Sequence, residues 1–120
     1  MVDGRSRLPV RWVVAAALLS IAGGTVYPAA ADDLPNIPVT IKDHRFSPAE
    51  IRVPTGKPVI LTIKNEDATA EEFDSSALKV EKVIAGGTYG TVRLRPLGPG
   101  RYPFMGEYHS QTAKGVVISE

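Results

Sequence analysis

The chain has 120 residues, with 14 basic and 13 acidic side chains, two histidines and no cysteine. Without an N-terminal leader of 31 residues, the remaining 89 residues (120 − 31) accommodate one small domain and not two, and the missing cysteine removes disulfides, thiol nucleophiles and thiolate metal ligands together. The basic residues are scattered, so no nucleic-acid footprint is visible; a small unstapled domain must rely on packing or on a bound metal.

In chain order, Arg5, Arg7 and Arg11 precede an apolar run from Trp12 to Val26, and Ala29, Ala30 and Ala31 then lead into Asp32. A positive segment, an apolar segment and a small-x-small site form the pattern of a secretory signal peptide. The run falls short of the roughly 20 residues that a membrane span needs. Residues 1–31 are therefore expected to be removed on export. Residues 32–38, "DDLPNIP", read as a flexible lead-in, and residues 39–120 as the domain.

The domain is a succession of short β-rich runs. "VTIKD" (Val39 to Asp43) alternates apolar and polar residues, as a half-buried strand does. Glu50–Val53 is a short strand before a turn at Pro54, Thr55 and Gly56. "VILTIKN" (Val59 to Asn65), rich in β-branched residues, is the most regular strand. "EEFDS", "LKVEKVI" and "YGTVRLRP" follow, the last with Val92 and Leu94 on one face. "LGPGRYPFM" is a turn entering a strand, and "AKGVVISE" closes the chain. Short strands at this spacing predict an all-β sandwich or barrel of about seven to eight strands. One helical turn is expected near Ser75–Leu78. No Gly-rich phosphate cradle is present.

Candidate metal-binding groups fall in two clusters, Glu71–Asp74 and Met105–His109. Glu71 and Glu72 precede Phe73 in a strand, so one of them must face inward, where a carboxylate is costly unless paired or metal-bound. Glu66 and Asp67 read as a solvated turn. His44 reads as exposed or structural, with a place in a second site left open. Met105, next to Phe104, suits a core role as well as a ligand role. Ser110 beside His109 is not triad geometry, and a small sandwich offers little cleft for a sugar. Spacing alone does not bring the two clusters together, and enzymatic status stays undecided.

Three pieces resemble the cupredoxin fold: "FSPAEIRVPTGKPVILTIKNED", "GPGRYPF" and "HSQTAKGVVIS". The resemblance spans residues 39–120 and implies a Greek-key β-sandwich. It does not carry a type 1 copper site, which uses two histidines, a cysteine and often an axial methionine. The first histidine position of the family falls on Glu71, the cysteine on Gly106, the second histidine on His109 and the methionine on Ala113.

A narrower resemblance joins "EEFDSSALKVEKVI" and "YPFMGEYHSQTAKG" to the cysteine-poor cupredoxin-like domains of bacterial iron-uptake systems. It implies a periplasmic protein holding one copper or iron ion, not a blue copper centre. The implied ligands are Glu71, Glu72, Glu107 and His109, with Met105 as a soft ligand; Glu72 can serve instead as an orienter. A membrane iron permease or a second periplasmic subunit is the implied partner, and assistance to ferrous oxidation or delivery the implied role. Two rival readings are a metal-free interaction module, with the acidic cluster as a docking surface, and a copper-binding or delivery protein using Met105 and His109.

Overall fold

The computed structural model describes residues 34–120; the signal peptide expected at 1–31 lies outside them. Nine strands run β1 (Asn36–Lys42), β2 (Arg45–Ser47), β3 (Glu50–Val53), β4 (Val59–Asn65), β5 (Glu71–Ser75), β6 (Val80–Ile84), β7 (Tyr89–Leu94), β8 (Gly100–Gly106) and β9 (Lys114–Ser119). They form a four-stranded sheet, β2-β1-β4-β7, and a five-stranded sheet, β3-β9-β8-β5-β6. The β1/β4 and β3/β9 pairs are parallel and the others antiparallel. This is the sandwich that the strand pattern predicted, with nine strands in place of seven to eight.

Alternation does the sorting. Val39 and Ile41 of β1, and Val59, Leu61 and Ile63 of β4, face inward and are buried. From the other sheet come Ile51, Phe73, Ile84, Phe104 and Val117. Phe46, Phe73 and Phe104 interlock, with two edge-on contacts at 5.9 and 5.0 Å and one stacked contact at 4.8 Å between centroids. Such aromatic pairs add to the area term of burial, and this cluster anchors the two sheets near the end that carries His44 and His109.

Two boundaries differ from expectation. The first strand starts at Asn36 and not Val39, because Asn36, Ile37 and Pro38 pair with Ile60, Leu61 and Thr62 of β4. The helical turn expected near Ser75–Leu78 is a hydrogen-bonded turn over residues 76–79. Ser75 Oγ accepts the Leu78 N–H at 2.9 Å and donates to the Pro103 carbonyl at 2.7 Å. A short 3-10 turn, Glu107–His109, follows β8 instead. Among the described residues no helix is long and apolar enough to cross a membrane.

Candidate metal centre

The strand period sends Glu71, Phe73 and Ser75 inward and Glu72 and Asp74 outward. Glu71 is 1 % exposed, and its carboxylate is fully engaged. Oε1 accepts the Tyr108 N–H at 2.9 Å and the Glu72 N–H at 3.0 Å. Oε2 is hydrogen-bonded to Nδ1 of His109 at 2.7 Å. Three partners offset much of the penalty of burying a carboxylate. The 3-10 turn aims both Tyr108 N–H and the His109 ring at Glu71, and its end is held where the Ala113 N–H donates to the His109 carbonyl at 2.9 Å.

His44 approaches from the other sheet. Lys42 pairs with Arg45, leaving Asp43 and His44 as a two-residue hairpin loop between β1 and β2. Both have positive φ, 52° and 58°, the conformation of a type I′ turn, where Asn-Gly is the usual choice. Its imidazole stacks on that of His109, centroids 3.6 Å apart and planes 12° from parallel. Ligand-competent atoms of His44, Glu71 and His109 all lie within 4.8 Å of one another. Imidazole and carboxylate donors suit Fe, Zn and Cu(II) better than Cu(I).

The stack limits what this arrangement can do as it stands. An imidazole lone pair lies in the plane of its ring. Two nearly parallel planes this far apart do not meet within bonding distance, so both rings cannot bind one ion until one of them turns. The arrangement is a hydrogen-bonded stack of two imidazoles over a buried carboxylate.

The four positions aligned with the blue-copper ligands do gather. A Cβ placed on Gly106 would lie 2.6 Å from Cδ of Glu71 and 2.7 Å from Cβ of Ala113. The Glu71 carboxylate thus occupies the space that a side chain at the cysteine position would need. The residues present do not fit a type 1 copper ion: the thiolate place is filled and the axial place holds a methyl group.

The other expected ligands stand elsewhere. Glu72 lies on the outer face of the five-stranded sheet, opposite Val83, and Met105 is 40 % exposed opposite Asp74 on the same face. Met105 is therefore not a core residue. Neighbouring Asp74 raises the pKa of Glu107, by hydrogen bonding to its protonated form and then by repelling its charged one. Loss of hydration, then repulsion from Glu81 and Asp74, raises that of Glu72. These carboxylates form an acidic patch, and only Glu71 and His109 of the five expected ligands converge with His44.

A family model described as the cupredoxin-like domain matches residues 11–119. The chain belongs to the cupredoxin-like domain family. An uncharacterized protein, RP394, of Rickettsia prowazekii (strain Madrid E) is 39 % identical over 87 residues, covering 72 % of this chain and 70 % of that protein. Among solved structures, similar folds include the metal-binding domain of the Cu(I)-exporting P-type ATPase CopA of Streptococcus pneumoniae D39. It has a TM-score of 0.60 at 20 % identity and covers 71 % of this chain and 84 % of that one. Auracyanin A, a blue copper protein of Chloroflexus aurantiacus, gives 0.59 at 14 % identity, covering 71 % and 98 %. An oxidized amicyanin variant gives 0.57 at 19 % identity, covering 70 % and 81 %. At these identities the likeness to the solved structures is one of cupredoxin fold.

Proposed function

We propose that this protein is an exported, periplasmic metal-binding cupredoxin-like domain that takes one iron or copper ion at His44, Glu71 and His109. The convergence of these three side chains at one end of the sandwich carries the reading. The aligned thiolate position is glycine, which favours an ion content with harder donors. Carboxylate oxygen stabilises Fe(III) relative to Fe(II). Such a domain assists ferrous oxidation, the electron leaving to an external acceptor, or delivery to an iron permease or a second periplasmic subunit. Glu72, Asp74, Glu81 and Glu107 supply a negative field that draws cations toward this end, with Met105 among them.

A second reading, a metal-free interaction module, is favoured by the hydrogen bonds of Glu71 to His109 and to the Glu72 and Tyr108 amides, which satisfy the buried carboxylate without an ion. Anaerobic titration of the purified protein with Fe(II), and separately with Cu(II), separates the two. Metal binding predicts one saturable site and a Cu(II) resonance spectrum of nitrogen and oxygen ligands without blue thiolate absorption. No saturable binding of either ion leaves the interaction module standing. Cu(II) is expected to bind more tightly than Fe(II) whichever is native.

A further inference from the structure

The sequence reads Glu66 and Asp67 as a solvated turn, but Asp67 is built into the centre. Oδ1 of Asp67 accepts the Asp43 N–H at 2.7 Å and Oδ2 accepts the His44 N–H at 3.0 Å. Oδ2 also lies 3.4 Å from Nδ1 of the His44 ring. One carboxylate therefore binds both left-handed residues of the hairpin loop. Asp67 is itself fixed. Its N–H donates to Oδ1 of Asn65 at 3.0 Å, and its carbonyl accepts the Gly87 N–H at 3.0 Å. Asn65, fully buried, donates through Nδ2 to the carbonyls of Thr69 at 2.9 Å and Ile84 at 3.0 Å. The chain of contacts runs from the floor of the sandwich through Asn65 and Asp67 to the His44 backbone. From the far side, Thr112 Oγ1 donates to the His44 carbonyl at 2.7 Å, tying the same loop to the segment that carries His109.

We propose that Asp67 is the positioning residue of this centre, clamping the β1–β2 loop so that the His44 imidazole is held over His109. A loop whose two residues both adopt positive φ is held by a carboxylate that gives each of their amides its own oxygen, whereas an amide side chain in that place offers a single acceptor oxygen. The clamp grips the backbone through two amide hydrogen bonds, so the loop stays in place when the His44 ring gives up its 3.4 Å contact with Oδ2 and turns about its side-chain bonds. It keeps the second imidazole within reach of an ion while the rings unstack. The consequence for metal affinity rests on the metal-binding reading above; the positioning itself does not.

The test compares Asp67→Asn, which keeps one acceptor oxygen, with Asp67→Ala, which keeps none, in the purified protein. In the metal-free state, the imidazole proton shifts of His44 and His109 report the stack. They are expected to move toward unstacked values in the order Asn then Ala. With Cu(II) as the probe, Asp67→Asn is expected to weaken binding by about 10- to 100-fold, and the two-nitrogen hyperfine pattern is expected to give way to a one-nitrogen pattern. Adding Asp67→Asn to His44→Ala should cost nothing further. Unchanged imidazole shifts in Asp67→Asn overturn the proposal. So does an affinity loss of equal size with and without His44. If the unaltered protein binds no Cu(II), the metal-binding reading fails, while the imidazole shifts still decide the part played by Asp67.

Discussion

Gly106 and Glu71 are best understood together. The glycine sits in β8 with its α-carbon facing the Glu71 carboxylate, and a Cβ there would be 2.9 Å from Oε1 as well as 2.6 Å from Cδ. Neither neighbour moves freely, because Oε1 holds two backbone amides and Oε2 holds the His109 ring. Gly106→Ala is therefore expected to destabilise the fold by about 1–3 kcal/mol through overpacking, measured by denaturant unfolding. A neutral result would mean that Glu71 is not fixed where these contacts put it. At this scale the sequence is partly legible. That one of Glu71 and Glu72 must point inward follows from the strand period set by Phe73, and the structure selects Glu71. That Asp67 and His44 matter does not follow, because they lie 23 residues apart and meet only through the pairing of β1 with β4. The one local signal is the Asp43–His44 pair itself: a two-residue loop between strand-like runs, in which a left-handed histidine stands where glycine is the easier choice.

Among the elements, the strands were legible and their neighbours were not. Val59–Asn65 is as its β-branched alternation predicts, since burying one face leaves a single register open to it. The outer face of β5, β6 and β8 is where pairing adds something the linear order hides. Asp74 sits opposite Glu81 on one side and Met105 on the other, with Glu107 reaching back to Asp74. Like charges placed opposite each other on a sheet destabilise it. The raised pKa of Glu107 gives the sign. The folded state takes up this proton at higher pH than the unfolded chain, so stability falls as pH rises from the ordinary carboxylate range through the raised value. Glu107→Gln, whose amide can donate to Asp74, is expected to melt higher than the unaltered protein at neutral pH. The difference should vanish in acid below the ordinary carboxylate pKa of about 4. Parallel melting curves across that range would show that the patch is not under repulsion. Asp67 has the opposite sign: chiefly because it accepts the His44 amide, its pKa is lowered, and its contribution fades as pH falls through that depressed value.

Across the whole molecule, the centre is a product of topology. His44 comes from the four-stranded sheet, Glu71 from the five-stranded sheet and His109 from the turn after β8, and they converge only when both sheets have packed. The fold family was legible in the sequence because turn and strand signals recur in order along residues 39–120. Two of the three converging side chains were legible: the resemblance aligns Glu71 and His109, but it carries no expectation for His44. A metal ion bound here would link both sheets, so excess ion should raise the melting temperature by an amount that grows with the logarithm of its concentration over its Kd. The most direct test of the centre is Cu(II) affinity in Glu71→Gln and His109→Ala. Glutamine keeps Oε1 for the two backbone amides and can donate to the other tautomer of His109, so the fold should persist while the charge is lost. The account predicts that each variant, still folded by circular dichroism, binds Cu(II) at least about 100-fold more weakly than the unaltered protein, roughly 2.7 kcal/mol. Folded variants with unaltered affinity would contradict it and move the ion away from His44, Glu71 and His109.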